Sequence, residues 1–202
     1  MENFESMELF AKEHGEEIKK VLRLSQIHAY ESLLPNIDYT GHWISIDRCY
    51  MKDIFSWENP VGHATSETDW RFMVREGRSM WSYLDHWHGD RVRNGMTAIG
   101  YLGRAAWTMV YSGRILAVPG HEHWQSRIAE CVTECLREAM MQSHPEHPWR
   151  GPSEFAASNG LIYQNEWTGD IQQFSGKEKI LSRTWDAVVY EMTYMGGIVD
   201  QY

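Results

Sequence analysis

Tyr83-Leu-Asp-His-Trp-His-Gly-Asp90 returns as Tyr163-Gln-Asn-Glu-Trp-Thr-Gly-Asp170, with Tyr, Trp, Gly and Asp kept at a shift of 80. The correspondence continues downstream. Gly95 and Ile99 match Gly176 and Ile180 at a shift of 81. Trp107, Met109, Tyr111, Gly113 and Ile115 then match Tyr190, Met192, Tyr194, Gly196 and Ile198 at a shift of 83. Shifts that are constant within a segment and grow between segments are what turns of unequal length leave in a duplicated unit. The matched aromatics and glycines lie an even number of residues apart within each segment, which is the period of a strand.

Each unit therefore reads as three antiparallel strands. The first comprises Ser79–His88, Met96–Leu102 and Arg104–Ser112; the second comprises Leu161–Thr168, Lys177–Ser182 and Ala187–Met195. Gly89-Asp90 and Gly169-Asp170 begin the first turn of each unit, because Gly tolerates positive φ and Asp bonds its own backbone. Working outward, Glu16 to Leu34 has a helical apolar stripe of Ile18, Val21, Leu22, Ser25 and Ala29. A second stripe holds Leu24, Ile27, Tyr30 and Leu34. Gly15 is expected to separate this helix from a short turn at Met7 to Lys12, and Pro35 to end it. His123 to Gln142 is the second helix, with Trp124, Ile128, Cys131, Val132, Cys135, Leu136 and Ala139 forming its inward stripe.

The expected fold class is α+β, a duplicated three-strand antiparallel unit forming a curved sheet, packed with the N-terminal helical segment and the linking helix. Residues 1–202 read as a single domain: a helical segment 1–35, a loop-rich connection 36–78, a first βββα unit 79–142 and a second βββ unit 143–202.

Charge and composition exclude several function classes. A net charge of −9 lacks the basic stripe that displaces counterions from nucleic acid. No apolar run reaches the length of a membrane span, and the acidic start (Glu2, Glu5, Glu8) is no signal peptide. Cys49, Cys131 and Cys135 have no disulfide-framework spacing, so reduced thiols and a cytoplasmic location are expected. Phosphate loops, dinucleotide fingerprints and the Gly-x-Ser-x-Gly elbow are missing. No cofactor is expected.

Pro148-Trp-Arg-Gly-Pro-Ser-Glu-Phe155, Gly169-Asp170, Phe174-Ser-Gly-Lys-Glu178 and Tyr190-Glu-Met-Thr-Tyr-Met-Gly-Gly-Ile198 resemble the bacterial domain of unknown function 5680. Trp107-Thr-Met-Val-Tyr-Ser-Gly-Arg114 fits the same pattern in the first unit. The resemblance covers about residues 70 to 200. Members often follow the helix-turn-helix of XRE-type regulators, whereas here only a helical N-terminal third precedes the unit. The acid at Glu178 is Thr97 in the first unit. The resemblance implies a sensor-like or ligand-binding domain and carries over no catalytic residue.

The candidate site follows from the repeat. The expected function is small-molecule binding, in a pocket of roughly 300 Å3 or more between sheet and helices. Its walls would be Tyr83, Trp87, Trp107, Tyr111, Tyr190 and Tyr194, and its ligand a small apolar or aromatic molecule. Asp85 lies between Tyr83 and Trp87 on one strand face, while its counterpart Asn165 is neutral. A cofactor-independent cyclase, isomerase or lyase is the alternative, with Asp85, His86 or His88 moving protons. Arg150 clamps an anion or pairs with an acid. His86-Trp-His88 supplies two imidazoles on one face, but no third ligand at a metal-site spacing, so no metal is expected. A protein interaction module using exposed Trp and the acidic surface is the third reading.

Overall fold

The computed structural model describes residues 2–31, 68–76, 79–89 and 91–199, without the side chains of 2–7, 24, 27–31, 68–80 and 122. The expectations for Leu34, Pro35, Cys49, Asp90, most of the 36–78 connection and the side chains of the second helical stripe therefore lie outside it. The elements are α1 (Glu2–Glu31), β1 (Thr68–Glu76), β2 (Ser79–His88), β3 (Val92–Tyr101), β4 (Arg104–Ile115), α2 (Gln125–Met141), β5 (Glu154–Ala156), β6 (Leu161–Gly169), β7 (Gln173–Ser182) and β8 (Ala187–Ile198). A single 3-10 turn, Glu122–Trp124, leads into α2.

The strands form one open antiparallel sheet in the order β1-β2-β3-β4-β8-β7-β6-β5, so the chain is α+β. β2-β3-β4 and β6-β7-β8 are each a meander, and they meet along β4 and β8, where Tyr111 pairs with Tyr194. Tyr83 pairs with Ile99 and Trp87 with Gly95; in the other meander Tyr163 pairs with Ile180 and Trp167 with Gly176. Each meander also shifts register at the same point, after Ile99 and after Ile180. Gly89 and Gly169 turn at φ +85° and +90°, where an added Cβ would strike a carbonyl oxygen at 2.0 Å. Only glycine fits there.

Both helices cover one face of the sheet. Ile18, Val21 and Leu22 of α1 pack with Trp81, Tyr83, Ile99 and Trp107, and Ile128, Val132, Cys135 and Ala139 of α2 pack with Tyr163, Ile180 and Tyr190. Tyr111 borders both clusters. Gln26 Nε2 donates to the Trp149 carbonyl at 2.8 Å and ties α1 to the chain after α2. The other sheet face carries no described helix and exposes Met96, Val110 and Met195.

Several expectations change. α2 begins at Gln125, and Trp124, expected on its inward stripe, sits in the preceding 3-10 turn and is 48% exposed. α1 runs unbroken through Gly15, which is buried with Ile171 at 3.6 Å from where its Cβ would be, so the glycine serves close packing and not a break. Thr68–Glu76, placed in the loop-rich connection, is the edge strand β1. β5 adds a three-residue strand at the opposite edge. β3, β4, β7 and β8 also extend beyond their expected ends, because residues past those ends, 113–115 and 196–198 among them, keep pairing. Among the cysteines, Cys135 is buried and Cys131 half-buried, both as free thiols on α2.

Candidate functional site

Strand alternation puts Tyr83, Asp85 and Trp87 on the helix-covered face and His86 and His88 on the other. Asp85 stands across from Thr97, and Gly95 of β3 lies between Trp87 and Tyr111. The missing side chain at Gly95 decides the geometry. A Cβ there would come within 2.4 Å of the Tyr111 ring, so the phenol lies flat over β3 and reaches β2. Its hydroxyl donates to Asp85 Oδ1 at 2.9 Å, and Thr97 Oγ1 donates to the same oxygen at 3.0 Å.

The second meander repeats the reach. Tyr194 lies over Gly176, where a Cβ would meet its ring at 2.3 Å, and donates to Asn165 Oδ1 at 2.7 Å. Asn165 Nδ2 donates onward to the Gly151 carbonyl at 3.0 Å. The acid has moved one strand over, to Glu178, which takes the place of Thr97. Arg150 Nε donates to Glu178 Oε2 at 2.9 Å and Arg150 Nη2 to Oε1. Tyr163 donates to Oε2 at 2.7 Å and Tyr190 to Oε1 at 3.3 Å. Arg150 is 6% exposed and Glu178 2%. Both oxygens of this carboxylate are filled, and the group is closed to anything else.

Asp85 differs in each respect. Both of its donors converge on Oδ1, and Oδ2 accepts no hydrogen bond from a described residue. The side chain is half-buried, as are Trp87 and Tyr111 beside it. Its carboxyl still sits deep enough that burial raises its pKa above the usual carboxylate range. Hydrogen bonds from Tyr111 and Thr97, and the more distant charges of Arg150 and His86, oppose that rise without cancelling it. In the other meander, burial and the Glu178 charge raise the Tyr163 phenol well above its ordinary range.

The six expected pocket aromatics thus separate. Tyr83, Trp107, Tyr190 and Tyr194 are buried core, and only Trp87 and Tyr111 reach a surface near Asp85. A cavity of about 620 Å3 opens on the helix-free face, lined by Ser112, Arg114, Glu166, Lys177, Lys179 and Glu191 among others, and by none of the six. Arg150 is engaged with Glu178. His86 and His88 face away from Asp85, so the three do not form one centre. Sequence reasoning missed the tyrosine cradle of Glu178, whose partners lie 12 to 28 residues away, and the Thr97 hydroxyl. The Thr97-for-Glu178 exchange was the available signal for both. Among the described residues no three His, Cys, Asp or Glu side chains are placed to hold a metal ion.

The class is now defined: a two-layer α+β protein with an open antiparallel sheet, one face under helices, and a largely buried carboxyl between two aromatics on that face. No described helix is long and apolar enough to cross a membrane. A family model described as a domain of unknown function (DUF5680) matches residues 85–199, more than half of the chain, and the chain belongs to that family. No curated protein and no solved structure matches it.

Proposed function

We propose that this chain is a small-molecule-binding domain whose site centres on Asp85, Trp87 and Tyr111. The observation that carries the reading is the one-sided hydrogen bonding of Asp85. Oδ1 is fixed by two hydroxyls while Oδ2 accepts nothing from a described residue, beside a half-buried indole. A carboxylate oxygen held in place next to an aromatic wall suits an apolar or aromatic molecule carrying one N–H or O–H donor. Glu178, with the same tyrosine-rich surroundings, is saturated by Arg150 and serves the fold.

The two meanders derive, on this reading, from one duplicated three-strand unit in which one copy kept an open acid and the other closed it. Matching registers, matching register shifts and the two tyrosines laid over Gly95 and Gly176 support this. A cofactor-independent isomerase or lyase is the second reading, favoured by a carboxyl and a phenol 2.9 Å apart that could both touch one bound molecule.

The test is a thermal-shift screen of aromatic amines, phenols and N-heterocycles, with hits measured by calorimetry on the wild type and on Asp85→Asn. Binding predicts that the variant keeps its fold and loses affinity for donor-bearing hits only. A hit list indifferent to Asp85→Asn removes the site from Asp85. Turnover of a hit that drops by about 10²–10⁴-fold in the variant selects the enzyme reading.

A further inference from the structure

We propose that His86, His88 and Met96 form a copper-binding site on the helix-free face of the sheet. Strand period puts His86 and His88 on one side of β2, and their Nε2 atoms stand 2.8 Å apart with the rings T-shaped, centroids 4.5 Å apart. His86 is half-buried and His88 exposed. Once the proton between them is lost and the rings turn slightly, both nitrogens can donate to one metal ion lying off the line that joins them. With metal–nitrogen bonds of about 2.0–2.1 Å, the pair subtends about 85–90° at the metal. That is the cis angle of a tetragonal centre, whereas a zinc tetrahedron wants the nitrogens spread to about 3.3 Å or more.

The third donor bears on which oxidation state of copper is held more tightly. Met96 on β3 is the direct register partner of His86, on the same face and 38% exposed. Opposed side chains in an antiparallel pair have Cβ atoms about 4.5–5.5 Å apart, within reach of a thioether. Imidazoles accept copper in either oxidation state, and a soft thioether favours Cu(I) over the harder Ni(II). Continuing along the same row, Val110 and Met195 are 50% and 59% exposed, so the site has an apolar flank. The other close histidine pairs, His121 with His123 and His144 with His147, have ring centroids 6.4 Å and 6.1 Å apart and no methionine in register.

The experiment uses the full chain without an affinity tag. Cu(II) and Ni(II) are titrated by calorimetry, and Cu(I) by competition with bicinchoninate under reducing conditions, with circular dichroism checking that each variant keeps its sheet. One copper per chain is expected. Affinity for both copper states should fall at least about a hundredfold in His86→Ala/His88→Ala and stay unchanged in His121→Ala/His123→Ala. Met96→Leu should weaken Cu(I) about tenfold and leave Ni(II) where it was. Undiminished copper affinity in the His86/His88 double variant overturns the site. An equal effect of Met96→Leu on Ni(II) and Cu(I), or no effect on Cu(I), overturns the thioether's part.

Discussion

Replacing Arg150 with Ala takes the cation from a carboxylate that is 2% exposed. Two Arg150 donors contact Glu178, and after the substitution only the Tyr163 and Tyr190 hydroxyls, at 2.7 and 3.3 Å, remain on it. Two phenols do not offset a buried negative charge. Removing one partner of a buried ion pair costs about 3–5 kcal/mol, more than the pair's net worth, because the other charge is left uncompensated. For a chain of this size each kcal/mol moves the melting temperature by about 2–4 °C, so Arg150→Ala should melt about 6–20 °C lower. The control is Arg150→Ala/Glu178→Gln, which removes the charge but keeps an oxygen for the tyrosines. It should recover more than half of the loss. Urea unfolding followed by Trp fluorescence and by circular dichroism gives both values. An Arg150→Ala loss within about 1 kcal/mol of zero, or no recovery in the double variant, refutes the closed-carboxylate account.

Gly176→Ala drives a Cβ into the Tyr194 ring and should cost about 1–3 kcal/mol, read from the same unfolding curves. Gly95→Ala, which lifts Tyr111 from Asp85, should abolish ligand binding at a comparable loss of stability. Burial pushes the Cys135 thiol up to about 12, with the charges of Glu138 and Glu178 adding to the rise. Its protonated form is the one the fold accommodates, so this contribution is complete below the thiol's ordinary pKa near 9 and is lost as pH rises from there towards 12. Native iodoacetamide labelling at pH 8, mapped by mass spectrometry, should accordingly leave Cys135 unmodified until the chain unfolds.

Much of the sheet was legible because residues matched at shifts of 80 to 83 fall at the same register positions in both meanders. Tyr111 and Gly95 are 16 residues apart and Tyr194 and Gly176 are 18, and each pair is one tyrosine laid over one glycine. α1 was misjudged at Gly15 because a lone glycine looks the same whether it breaks a helix or lets a neighbour approach. β1 was hidden although Trp70, Phe72 and Val74 alternate, since no repeat partner marked them. The site was half legible. Asp85 stood out as the titratable member of a pair with Asn165, and alternation put it with Trp87 and apart from His86. Which aromatics would be core was not readable, because Trp107 and Trp87 carry the same residue type and differ only in what the helices cover. The role of Arg150 depended on a contact with Glu178, 28 residues away, which no local pattern encodes.

The claim that matters most is that a small molecule binds against Trp87 and Asp85. The direct measurement is the two-dimensional ¹⁵N spectrum of the tryptophan indoles during titration with the best hit of the screen, the Trp87 peak being identified by its loss in Trp87→Phe. The account predicts that the Trp87 indole shifts saturably, that the buried Trp107 and Trp149 indoles move little, and that Asp85→Asn removes the response. A ligand that binds while the Trp87 peak stays still, or that moves it equally in Asp85→Asn, contradicts the account.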